Sequence, residues 1–244
     1  MEKYTDYNDF AEIYNRYWGD FPLQIMPILE ELALKDFPAG TQVLDVCCGT
    51  GQLAGELIRR GYEVTGIDGS DQMLKYAREN APTTPFIPAD ARAFMLMARF
   101  NIAFSTFDSL NHLLTLDDLE MVFNNVYRQL ETSGVFVFDM NLESGYLNRW
   151  IQPVNIADED AAVMVSSHYD QDEKLATADI TMFKREDEDH WRRSDVTLTQ
   201  RAYSIHEVFE TLAAVGFIHL EVFDAVQDFK LDQTGRAFFR AKKR

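Results

Sequence analysis

The residues best placed to do chemistry in this chain are Asp45-Val-Cys-Cys-Gly-Thr-Gly51. Apolar Val43 and Leu44 precede them, and a helix-like run over 52–60 follows. A strand, a glycine turn and a helix in that order build a nucleotide-type pocket at the carboxyl edge of a parallel sheet. Gly49 and Gly51 allow torsions and a close ligand approach that side chains would block. The next apolar run, Tyr62-Glu-Val-Thr-Gly-Ile-Asp68, ends on an acid beside Gly69. A carboxylate there can accept hydrogen bonds from both hydroxyls of a ribose. The spacing points to a bound adenosine.

Charge selects among adenosine cofactors. Gly49-Thr-Gly51-Gln-Leu-Ala54 also fits the G-x-G-x-x-[GA] pattern of dinucleotide binders. Asp45, however, stands at the mouth of the turn, and no Lys or Arg lies between it and Glu56. Like charges a few ångströms apart cost about 1 kcal/mol in water and several in a partly buried site. A pyrophosphate is therefore disfavoured. A cofactor with an ammonium and a sulfonium but no phosphate suits the turn, and S-adenosylmethionine is such a molecule.

Val43-Leu-Asp-Val-Cys-Cys-Gly-Thr-Gly51 with Gly66-Ile-Asp-Gly-Ser-Asp-Gln-Met-Leu74 resembles the first two motifs of class I S-adenosylmethionine-dependent methyltransferases. The resemblance continues through Ala89-Asp-Ala91 and Phe104-Ser-Thr-Phe-Asp-Ser-Leu-Asn-His112, and covers roughly residues 40–145. It implies that Asp45 faces the methionine end of the cofactor, although Asp45 can also cap amides of its own loop. Cys47 stands where many relatives have glycine or alanine, and a small thiol should fit. Met73 would pack on the adenine or serve as ordinary core. Asp90 would accept from the adenine amino group, or simply start a helix, and Ala91 would offer a backbone amide.

Ser105 ends the fourth strand, where cofactor and acceptor meet. His112 and Asp108, in the turn that follows, are the candidate bases; His112 can equally serve local backbone groups. On the first helix, Phe10, Tyr14, Tyr17 and Trp18 share one face. That stripe reads as core, yet the resemblance implies that Tyr14 covers the cofactor.

Alternating segments must position these residues. Helices are expected over 7–18 and 22–35, then strand 42–46, helix 52–60, strand 62–67 and helix 70–80. Strands 84–88 and 100–106, helix 116–131 and strand 134–140 follow, with Gly61 and Gly134 as helix ends. A helix over 204–215 and strands over 217–224 and 236–242 close the chain. This order implies an α/β fold: a doubly wound, mostly parallel seven-stranded Rossmann-like sheet with an antiparallel C-terminal hairpin. Residues 146–202 break the alternation, with strand-like runs at 161–169, 175–183 and 191–201. The expected organisation is a core of 1–145 and 203–244 with an inserted antiparallel β-sheet at 146–202. Similar insertions are lids in sugar-amine N,N-dimethyltransferases and glycine N-methyltransferase; a decorative sheet or dimer contact is the other reading. As a lid, its Tyr146, Trp150, His168 and Tyr169 would offer acceptor contacts.

Composition narrows the partners. The net charge is −17, against the basic surfaces that nucleic acids and anionic membranes require. Two adjacent cysteines give no disulfide framework and no zinc site, so no metal is expected and a cytoplasmic location is the default. The N-terminus lacks a signal peptide's apolar core. The reading is methyl transfer to a small-molecule acceptor, an amine nitrogen before an oxygen, by a monomer or homodimer. A non-catalytic S-adenosylmethionine-binding protein and a nicotinamide-dependent oxidoreductase are the alternatives, and Asp45 argues against the latter.

Overall fold

The computed structural model describes residues 6–244; the first residues, read above as lacking a leader's apolar core, lie outside that range. Seven strands form the main sheet: β1 Gln42–Val46, β2 Glu63–Asp68, β3 Phe86–Pro88, β4 Phe100–Ser105, β5 Leu130–Asn141, β10 Phe217–Asp224 and β11 Arg236–Lys243. Their spatial order is β10-β11-β5-β4-β1-β2-β3. β11 runs antiparallel to β5 and to β10, while the others pair in parallel. The chain therefore reverses its direction of winding between β1 and β4, which is where open α/β sheets hold ligands. Helices cover both faces, which is why β1, β4 and β5 are near-continuous apolar runs.

Capping fixes the helices that frame this crevice. α4 (Gln52–Arg59) starts from Gly51 in the left-handed region at φ 80°. An added Cβ on Gly51 would lie 2.9 Å from Ala77 Cα, so this glycine permits α4 to pack on α5 (Asp71–Asn80). Ser70 caps α5 by accepting from Met73 N, and Thr115 caps α6 (Leu116–Gln129) by accepting from Asp118 N. α8 (Ile205–Val215) opens on a Ser204–Glu207 capping box and stops at Gly216.

Two expectations about these elements need correction. The helix expected over 22–35 is broken into α2 (Phe21–Gln24), α3 (Met26–Leu32) and a short turn at Leu34–Asp36. Pro22 and Pro27 each sit in a first turn, where a missing N–H costs nothing, and neither can continue a preceding helix. Gly134 does not end α6. That helix stops at Gln129, and Gly134 lies inside β5, where a Cβ would meet Glu131 O at 2.9 Å.

After β5, a short helix α7 (Glu143–Gly145) and a wide turn lead to a separate antiparallel sheet of order β6-β7-β8-β9. It comprises β6 Val154–Ala157, β7 Ala161–Asp170, β8 Leu175–Arg185 and β9 Trp191–Arg201. The sequence revealed three of these strands. β6 was missed because it is a short, four-residue, mostly exposed edge strand. The apolar face of this sheet packs on α1 (Asp6–Tyr17): Phe10 and Ile13 share one cluster with Val163, Ile180, Met182 and Leu198. The aromatic stripe of α1 thus faces the inserted sheet and the crevice between sheet and core.

Candidate active site

A cavity of about 320 Å³ opens between the carboxyl ends of β1, β2 and β4, with α1 and the β9 edge over it. Its floor is the glycine turn. Cys47 and Gly49 both take left-handed torsions, at φ 58° and 53°. Gly49 N–H donates to Asp68 Oδ2 at 2.9 Å, and Ser70 N–H donates to Asp68 Oδ1 at 2.8 Å. The Asp68 carboxylate is half-buried and lines the cavity with Gly69 and Met73. Burial raises its pKa while these backbone N–H groups pull it down. A carboxylate has about four acceptor positions, so each oxygen keeps capacity for a ligand hydroxyl.

The roof carries the cavity's histidine. His112 Nδ1 lies 3.0 Å from Thr199 O, a group that only accepts, so Nδ1 carries the proton. Nε2 is then the acceptor, and it meets Tyr7 Oη at 2.7 Å and Gln200 Nε2 at 3.0 Å. Burial lowers the His112 pKa against the pull of Asp108 and the Thr199 carbonyl, which keeps the ring neutral. Burial also raises the Tyr7 and Tyr14 phenols, helped by nearby carboxylates, so both stay protonated.

Behind the cavity wall lies a buried charge cluster. Arg236 on β11 donates to Asp139 and, at 2.6 Å, to Asp108 Oδ1. Asp139 also accepts from Phe107 N at 2.7 Å and from Asp108 N at 3.0 Å. Phe107 and Asp108 both have positive φ, 63° and 48°, which is costly for residues with side chains. Asp139 holds that strained turn, and Arg236 compensates its charge. Burial pushes the Asp108 carboxyl up, but Arg236 and a 2.6 Å bond from Gln200 outweigh it and leave it below the ordinary range.

Below the turn, Asp45 is 1 % exposed and its Oδ2 has no partner. Ser105 Oγ is likewise buried and unpartnered. Burial, then the Asp68 charge, raises the Asp45 pKa to about 8. Folded protein therefore holds a proton that the unfolded chain releases near pH 4. Stability should fall as pH rises from about 4 to 8, and Asp45→Asn should remove this part of the slope. Thermal unfolding of the two proteins across that range checks it; parallel curves would refute it.

Of the residues expected from sequence, Tyr14, Cys47, Gly49, Asp68, Gly69, Met73, Ala91 and His112 line the cavity. Asp45, Gly51, Asp90, Ser105 and Asp108 do not. Gly51 serves helix packing, Asp90 is held by Arg92 at 2.8 Å, and Asp108 is held by Arg236 and Gln200. Tyr146, Trp150 and Tyr169 form their own cluster, and His168 is exposed on the inserted sheet. Sequence reading missed Tyr7, Phe107 and the β9 segment Thr197–Thr199. Tyr7 had a signal, seven residues before Tyr14 on the same helix face. Among the described residues there is no metal-binding cluster and no helix long and apolar enough to cross a membrane.

These groups fit S-adenosylmethionine: a hydroxyl-accepting carboxylate at Asp68 and an apolar shelf at Met73 line the cavity, and an unpartnered Asp45 oxygen and Ser105 hydroxyl are buried outside its lining. Comparison with known proteins agrees. A methyltransferase-domain family profile matches residues 43–134. YqeM of Bacillus subtilis, named as a methyltransferase, is 30% identical over 245 residues, covering 97% of each chain. The dTDP-3-amino-3,4,6-trideoxy-alpha-D-glucopyranose N,N-dimethyltransferase of Streptomyces venezuelae is 27% identical over 135 residues, 54% of this chain and 56% of that protein. An S-adenosylmethionine-dependent methyltransferase structure from Clostridium acetobutylicum shares the fold, with TM-score 0.77 and 24% identity over 97% of this chain and 98% of that one. With a near full-length relative, the matching domain and a cavity of the right chemistry, the chain belongs to the S-adenosylmethionine-dependent methyltransferases.

Proposed function

We propose that the protein methylates an amine nitrogen of a small acceptor. The observation that carries this reading is the commitment of His112. Its Nδ1 donates to a carbonyl and its Nε2 already accepts from Tyr7 and Gln200, so it has no free lone pair for an acceptor. Asp108 is likewise taken by Arg236 and Gln200. A hydroxyl nucleophile needs a general base, whereas a free amine attacks with its own lone pair. The name of the Streptomyces venezuelae relative, an N,N-dimethyltransferase, supports the same reading.

In this reading Asp68 holds the ribose hydroxyls, and Cys47, Gly49 and Gly69 lie along the cofactor. Met73 and Ala91 flank the adenine, Asp45 and Ser105 sit beneath the cationic tail, and Tyr14 covers it. Asp90 and Gly51 act from behind, by fixing the loop and helix next to the site. The bound cofactor supplies an activated methyl on a sulfonium. The chain's own part is to align the acceptor, exclude water and leave its nitrogen unprotonated; positioning alone can be worth about 7–11 kcal/mol of barrier. Residues 1–145 and 203–244 serve as the core and 146–202 as the acceptor-site lid, with β9 supplying the wall.

Amines and alcohols of matched skeleton, assayed by product mass, test the reading. His112→Asn should leave amine methylation within about tenfold, whereas loss of a true general base costs about 10²–10⁴-fold. Transfer to an alcohol that vanishes with His112 would overturn it.

A further inference from the structure

Resting on that reading, we propose that the acceptor is a phosphate-free amine, and not a nucleotide-linked one of the kind named for the Streptomyces venezuelae relative. The cavity is lined by no Lys and no Arg among the described residues. Its one imidazole is neutral, and the Asp68 carboxylate lines the wall. A diphosphate placed there would meet like charge with no compensating cation. The turn amide that holds phosphates in other nucleotide sites, Gly49 N–H, is already bonded to Asp68.

The nearby cations lie outside the cavity lining. Arg236 sits behind Phe107, 5.6 Å from its ring centroid, and its guanidinium serves Asp108 and Asp139. Arg149 donates through Nη2 to Asn141, and its Nε is buried without a partner. A second groove, lined by Lys75, Lys184 and Arg192, lies on the Asn8, Asp9 and Glu12 side of α1. There Lys184 pairs with Glu12 at 2.9 Å and Arg192 with Glu186 at 3.3 Å.

What the cavity offers instead is neutral. Tyr7, Tyr14 and Phe107 give ring surface. The free edge of β9 gives backbone groups: Thr199 O accepts from His112 and Arg201 O from Asn111, so this parity points away from β8. Thr197 has the same parity and lines the cavity, so its N–H and C=O are presented to an uncharged polar group. The volume, about 320 Å³, lies at the small end of the range for ligand pockets, roughly 300–1,000 Å³. Cofactor and acceptor must share it, which argues for a small acceptor.

The test uses the full chain saturated with S-adenosylhomocysteine, whose own binding is measured first; its failure would count against the cofactor reading alone. Calorimetric titration of that complex with dTDP should show no binding tighter than about 1 mM. Matched amines with and without phosphate are then assayed for methyl transfer: tyramine against O-phosphotyramine, and a free amino sugar against its dTDP-linked form. In every productive pair the phosphate-free member should be favoured by about a hundredfold or more in kcat/KM. A dTDP complex in the micromolar range, or a productive pair that prefers the phosphorylated member, overturns the proposal. If no pair turns over, the dTDP titration decides alone.

Discussion

Asp68→Ala is expected to weaken S-adenosylmethionine binding by at least about a hundredfold. Each carboxylate oxygen already accepts one backbone N–H, from Gly49 at 2.9 Å and Ser70 at 2.8 Å, which fixes the group's orientation before any ligand arrives. A preset carboxylate gives two charged hydrogen bonds to ribose hydroxyls, each worth about 1.5–3 kcal/mol. Their sum, about 3–6 kcal/mol, corresponds to roughly 10²–10⁴ in affinity. Loss of the carboxylate also frees the Gly49 amide, in a turn whose left-handed torsions depend on local support. Calorimetry on Asp68→Ala, with circular dichroism to show an intact fold, checks the prediction. Wild-type affinity in a folded variant would remove Asp68 from the cofactor site.

Asp68 was legible because its signal is local: an acid at the end of an apolar strand, beside a glycine. The same holds for the strand–turn–helix at 43–60. What stayed hidden is joined across the chain. Gln200 meets His112 from 88 residues away, and Arg236 meets Asp108 from 128 away. No periodicity encodes such pairs, since they exist only once the inserted sheet and the C-terminal hairpin dock on the core. The broken helix at 21–36 was miscast for a different reason: the apolar spacing is helical, and Pro27 overrides it. Gly51 shows a third limit. Its left-handed φ was anticipated, but whether a glycine spares room for a ligand or for a neighbouring helix depends on packing, and here the neighbour is Ala77.

The buried cluster around Arg236 joins stability to the site, and its disruption should have a large effect. Arg236 is 1 % exposed, with Asp108 and Asp139 as its ion partners and the Phe21 ring centroid 4.6 Å from its guanidinium. Arg236→Leu leaves two buried carboxylates uncompensated, and breaking a buried pair in this way costs about 3–5 kcal/mol. Urea unfolding at pH 7 should show that loss as a lower midpoint at unchanged slope. The sign of its pH dependence follows from the charges. Without Arg236 both carboxyls are pushed up by burial and by each other, so the folded variant takes up protons and gains stability as pH falls toward 5. Wild type, in which Asp108 is held below the ordinary range, should show a smaller gain, the part that the raised Asp45 and Asp139 carboxyls supply.

Adding Asp108→Asn and Asp139→Asn to Arg236→Leu removes the stranded charges and should restore much of the loss, because replacing a whole buried ion cluster by neutral groups is often near neutral. Activity should not return with stability. Asp139 accepts from Phe107 N and Asp108 N, and an asparagine in its place can accept through only one oxygen. The positive-φ turn that sets Phe107 and His112 against the cavity then loses one of its two tethers. A triple variant as stable as wild type and fully active would show that the cluster serves folding alone. Regained stability with activity still reduced would place the cluster's role in holding the 107–112 turn.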